Sequence, residues 1–162
     1  MMMVVATSSV WVTAVGCGLM AGVYFTFSTF VMASLGAIPG PQGIAAMQSI
    51  NRVILSSAFM PLFFGTSLAS LALSVWGVSR LGEAGGMALA AGGVVYVLGM
   101  FACTAAFNVP LNNALDAVDP TTPEAASLWA RYLRDWTRWN HVRTVSSLSS
   151  CALFLWAAGR LV

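Results

Sequence analysis

The sequence predicts an all-α integral membrane protein, a four-helix transmembrane bundle with an interfacial amphipathic helix leading into the last span. Three observations predict it. Hydrophobic residues make up 59% of the 162 residues and charged residues 7%, against roughly 45–50% and about 25% in soluble domains. The mean hydropathy is +0.84, more apolar surface than a soluble domain of this length can hide. Apolar stretches approaching or exceeding the roughly 20 residues of a membrane span recur near residues 4–35, 53–78, 84–107 and 142–159, with an amphipathic stretch near 123–141. The whole chain, 1–162, reads as one domain.

The first segment is uncharged from Val4 to Leu35. It is longer than a span, so it tilts or projects, and it lacks the basic leader and short apolar core of a signal peptide. Gly16, Gly18 and Gly22, the last two as Gly-x-x-x-Gly, offer close helix contact. Tyr24, Thr26, Ser28 and Thr29 add polar atoms near its far end, where hydroxyls usually bond back to their own helix. Gly36 to Pro41 breaks the helix, and Gln42 to Ile50 leads into the second segment. Gln48, Asn51 and Arg52 stand within a turn of one another there, either as a snorkelling end or facing a site.

Pro61 is expected to kink the second segment. Arg80 and Glu83 flank a glycine-bearing turn, and the third segment is uncharged and rich in Gly and Ala. Asn108 to Thr122, with Pro110, Asp116, Asp119 and Pro120, reads as irregular or only partly helical. Thr122-Pro123-Glu124 then has the pattern of an N-cap, a proline at the first helical position and an acid in the first turn. The helix that follows gathers Leu128, Trp129, Leu133, Trp136 and Asn140 near one face and continues unbroken into the last segment.

Folded up and down, the four segments put both termini on one side, with Arg80 and Arg160. The other side has Arg52, Arg131, Arg134, Arg138 and Arg143, which by the positive-inside rule is cytoplasmic. That side also collects Gln48, Asn51, Asn108, Asn112, Asn113, Asn140 and His141. Amides and guanidinium groups are expensive at a membrane boundary unless they pair or line a wet cavity, so their gathering marks a candidate site. The competing reading is that they cap helix ends and anchor the interface. Trp136, Asn140, Arg143 and Ser147 fall on a single helical face, and Trp139 is spaced for a cation–π contact with Arg143.

Asn108-Val109-Pro110-Leu111-Asn112, followed by Trp139-Asn140-His141-Val142-Arg143-Thr144, resembles the anthrone oxygenase-like membrane proteins. The glycine-rich first segment and Gln48-Ser49-Ile50-Asn51 fit the same pattern. These are short four-span chains, with many bacterial members of unknown function, and the likeness covers nearly the whole sequence. It implies an O₂-dependent oxidation of an anthrone-like aromatic, with no organic cofactor required. Such a reaction needs a base for an acidic C–H and donors for the resulting enolate oxygen. His141 is the one side chain whose ordinary pKa suits the base. Arg143 with Asn108, Asn112 or Asn140 supplies donors, and Trp136 and Trp139 supply flat faces. Asn51, Arg52 and Gln48 complete the candidate substrate-binding set.

Other classes fit less well. One histidine and no acid within the spans cannot build an ordinary zinc, copper or non-haem iron centre, so no metal is expected and O₂ is the expected co-substrate. A proton-coupled exporter wants a membrane carboxylate. A net charge of +2 gives no footprint for nucleic acid, and Cys17, Cys103 and Cys151 stand too far apart for a redox pair. The expected partners are the lipid bilayer, a lipophilic small molecule and a second copy in a homo-oligomer, in a bacterial inner (cytoplasmic) membrane. A non-catalytic binder of small molecules, or an accessory subunit of a membrane complex, is the alternative.

Overall fold

A computed structural model describes residues 2–161, with side chains from residue 6 onward, and among the described residues there is helix but no strand. Helix α1 (Met2–Thr26) passes through a π-helical turn (Phe27–Val31) into α2 (Met32–Ala37). After α3 (Gly40–Leu55), α4 (Phe59–Val78) and α5 (Gly86–Tyr96) come two further π-helical stretches, Val97–Ala102 and Thr104–Asn108, then α6 (Val109–Asp116) and α7 (Pro123–Ala158). Three stretches are long and apolar enough to cross a membrane: Ala6–Ala37, Phe59–Val78 and Gly86–Asp116. The second half of α7 carries Arg143 and four serines, Ser146, Ser147, Ser149 and Ser150, which dilute its hydropathy.

Helix α1 lies along α7, α7 against α5, α5 against α4, and α4 closes back on α1. Inside this ring Val10, Cys17, Met20, Leu73, Leu89, Tyr96, Met100 and Phe154 form one core. A second core, of Ile44, Met47, Leu115, Trp129, Tyr132 and Trp136, forms where α3 and α6 wrap the first half of α7. The outside is apolar too, with Val12, Leu19, Leu68, Val75, Leu98 and Leu148 all exposed. An apolar core inside an apolar coat needs a lipid solvent.

Thr122 caps α7 as its sequence implies, its hydroxyl accepting from the Ala125 N–H at 3.3 Å, and the helix then runs 36 residues without a break. Helices α4 and α5 touch through glycine: a Cβ at Gly93 would run into the Ser70 carbonyl oxygen, and one at Gly77 into Ala90 and Gly86 of α5.

Several expectations need correction. The second segment does not begin at residue 53; α3 ends at Leu55 and α4 starts at Phe59. The Ser57 hydroxyl accepts the Phe59 N–H there. Pro61 is therefore in the first turn of α4, where a missing N–H costs nothing, rather than kinking a helix. The third segment does not stop at Phe107, because helical structure continues to Asp116. The wider π-helical turn absorbs Pro110: the Val109 N–H bonds the Thr104 carbonyl, five residues back. The Gly18–Gly22 pair makes only half of the expected contact: a Cβ at Gly18 would meet the Cys151 sulfur of α7 at 3.5 Å, an ordinary van der Waals distance. Gly22 meets nothing within 4 Å, whereas Gly16 is the one filled tightly, by Thr66.

Candidate functional site

A cavity of about 260 Å³ lies among α1 and its π-helical turn, α3, the start of α4, the stretch after α5, and α7. Its wall is largely aromatic: Tyr24, Phe27, Phe59, Phe63, Phe101 and Trp136. The polar groups lining it are Asn51, Thr104, Asn112 and Arg143. All three π-helical segments border it, contributing Phe27, Phe101 and Thr104 in turn. Such widened turns are frequent at functional sites because they displace side chains from the regular helical register.

Arg143 is only 5% exposed. Its guanidinium lies 4.4 Å from the centre of the Tyr24 ring and 4.9 Å from that of Trp136. One terminal nitrogen donates to the Asn140 side-chain oxygen at 2.7 Å, and the other reaches the Thr104 hydroxyl at 3.5 Å. Its Nε is buried without a partner. Among the described residues no carboxylate pairs with it: Asp116 pairs with Arg52, Glu83 with Arg80 and Asp135 with Arg134. Asp119 bonds Thr121, and Glu124 is exposed at the start of α7.

Burying a cation costs several kcal/mol, and two desolvated ring faces return about 2 kcal/mol each. The site thus holds a positive charge that rings and amide stabilise but no opposite charge neutralises, against an apolar cavity. Asn140 keeps it there. Fully buried, it donates to the Tyr24 carbonyl at 2.6 Å and to the Ser28 hydroxyl at 2.7 Å, bridging α1 and α7.

A second network orients Asn112. The Tyr132 hydroxyl and the Trp136 indole N–H both donate to its amide oxygen at 2.8 Å. With its oxygen committed to two donors, what this cavity-lining amide has left to offer is its NH₂, a donor. Burial pushes the Tyr132 phenol pKa up, so the hydroxyl remains a proton donor to this oxygen. Asn51, also on the wall, makes a long contact with the Tyr132 oxygen, 3.5 Å from its amide nitrogen.

The sequence-based candidates separate here. Arg143, Asn112, Asn51 and Trp136 line the cavity, and Asn140 supports it from behind. His141 does not: it is exposed, one step of about 100° round the helix from Asn140, and lines no part of the cavity. Asn108 is buried with its amide nitrogen on the Trp136 carbonyl at 3.2 Å, stitching two helices. Gln48 ties α3 to the end of α6 through the Leu115 and Val118 carbonyls. Arg52 forms its exposed ion pair with Asp116 at 2.7 Å.

Trp139 stacks on Phe107, centroids 3.7 Å apart, and so is not the ring over Arg143. Sequence reasoning missed Thr104 and the phenylalanines, and gave Tyr24 little weight. The signal was a span arginine with no acid in reach, which calls for ring faces and hydroxyls around it. Among the described residues no group of three or more His, Cys, Asp or Glu stands together to hold a metal.

The family model described as anthrone oxygenase matches residues 52–153, more than half of the chain. The chain belongs to the anthrone oxygenase family. No curated protein and no solved structure matches it. The family stretch carries Phe101, Thr104, Asn112, Trp136 and Arg143, while Tyr24, Phe27 and Asn51 of the same cavity precede it. Family membership and three apolar helices identify an integral membrane protein.

Proposed function

We propose that the protein is a four-span membrane oxygenase that oxidises an anthrone-like, lipophilic aromatic with O₂ in the cavity under Arg143. The observation that carries this reading is a buried, carboxylate-free arginine facing an aromatic cavity in a chain of this family. Support for a fourth span comes from α7: Val142, Val145, Leu148, Leu155 and Trp156 are exposed, while Ser147 and Ser150 point inward. Its polar atoms are thus kept from lipid. The cytoplasmic assignment of the Arg-rich end follows the arginine count, with Arg143 set aside as a site residue.

In the proposed reaction a ring CH₂ loses a proton and its electron pair passes into the ring system and the ring oxygen. The carbanion–enolate then combines with O₂. The CH₂ becomes C=O, with one oxygen atom retained in the quinone and the other leaving as water with the two hydrogens. Arg143 and the Asn112 NH₂ hold the developing oxyanion, and the phenylalanines hold the flat ring. His141 is not given the role of base, since it lies outside the cavity.

Purified protein in detergent, supplied with emodin anthrone, should consume O₂ and form quinone faster than the spontaneous reaction. A rate equal to the protein-free background in a folded sample removes the oxygenase reading. One observation favours a second reading, a non-catalytic binder: the cavity lining contains no His, Asp, Glu or Lys. Saturable binding of the anthrone without added O₂ uptake would select it.

A further inference from the structure

We infer that the cavity binds its ligand as an aryloxide or enolate anion, with the ligand's negative charge serving as the counter-ion of Arg143. The inference rests on the reading of this cavity as the substrate site, and it replaces a protein base with a site that makes the ligand acidic. Every acid among the described residues is engaged or exposed elsewhere, so the cation inside has no protein partner of opposite charge. The guanidinium and the Asn112 NH₂ are donors of the lining, the latter with its oxygen locked by Tyr132 and Trp136, whereas the Thr104 hydroxyl and the Trp136 indole N–H already donate within the protein. The first two favour a ligand oxygen that carries charge over one that carries a proton.

The titratable groups that face Arg143 from neighbouring elements are Tyr24 of α1, Cys103 between the two π-helical stretches, and Tyr132 of α7 itself. None of them is an acid of the carboxylate class that would compete for the charge. The ligand arrives neutral. The cavity rim includes exposed Leu55, Phe64 and Val109, apolar residues that admit an uncharged aromatic from lipid. On binding, its proton leaves to water and the electron pair stays on the ligand oxygen beside Arg143. A neutral ring in transit and an anion in place explain why a membrane cavity contains an unpaired cation.

The test uses β-hydroxyanthraquinone, a flat three-ring phenol whose colour changes on ionisation, with anthraquinone, which has no proton to lose, as control. Quenching of tryptophan fluorescence reports occupancy of the cavity, and visible absorbance reports ionisation of the bound dye. Binding is expected to increase the dye's ionisation constant at least tenfold over its value in protein-free micelles, one pH unit. The increase should persist in Arg143→Lys, which keeps the charge, and vanish in Arg143→Gln. Dye that binds the wild-type protein but ionises as in empty micelles overturns the inference while leaving an aromatic-binding cavity. An increase that survives in folded Arg143→Gln overturns it as well. Failure of both dyes to quench the wild-type protein removes the cavity reading itself. Wild-type and Arg143→Lys data decide the matter if Arg143→Gln does not fold.

Discussion

Asn140 and Arg143 are joined by a 2.7 Å hydrogen bond from the guanidinium to the amide oxygen, one helical turn apart on α7. The same amide grips α1 through the Tyr24 carbonyl and Ser28. The helix that carries the charge and the helix that carries its ring partner are thus fixed by one side chain.

Asn140→Leu removes both grips. A buried carbonyl and a guanidinium lose their partners, for a stability loss of about 1–2 kcal/mol per hydrogen bond at most in a membrane interior. The expected result is a lower melting temperature in detergent together with a loss of anthrone oxidation of at least tenfold. Unchanged activity would show that Arg143 does not need Asn140 for its position.

Tyr132→Phe deletes the hydroxyl that donates to Asn112 and accepts the long contact from Asn51. With one lock gone the amide can turn, so the NH₂ faces the cavity for less of the time. Removing one such bond is worth about 0.5–1.5 kcal/mol, which would appear as a roughly twofold to twelvefold loss in kcat/KM, with a fall in melting temperature smaller than that of Asn140→Leu. Asn112→Leu, which has no donor, should lose more.

Gly93→Val tests the packing of α4 on α5. A side chain there meets the Ser70 carbonyl and Ser74, backbone and buried atoms that cannot step aside. Overpacking of this kind costs about 1–3 kcal/mol. Thermal unfolding should report it, whereas Gly22→Ala, inside α1 at a position with nothing within 4 Å, should not lower stability.

The spacing of Trp136, Asn140, Arg143 and Ser147 gave one face of α7, and all four are buried. The cap at Thr122 was equally legible, because both signals are local. What failed depended on other helices. Trp139 and Trp136 both lie on the side of α7 that Arg143 occupies, and only the position of Phe107 decides that Trp139 is taken while the cation lies against Trp136 and Tyr24. His141 drew attention as the only histidine, yet a single step round the helix from Asn140 turns it outward. Asn108 and Gln48 bond backbone carbonyls of other segments, partners that no local pattern names. The π-helical turns that carry Phe27 and Thr104 to the cavity arise from tertiary packing, apart from the hint given by Pro110.

The most direct measurement compares anthrone oxidation by Arg143→Gln and His141→Gln, both folded, beside the wild-type protein and the protein-free background. A site built on Arg143 gives an Arg143→Gln rate at or near background, and a His141→Gln rate within about twofold of wild type, as for an exposed residue with little energetic weight. The reverse pattern, an active Arg143→Gln and an inactive His141→Gln, would contradict it.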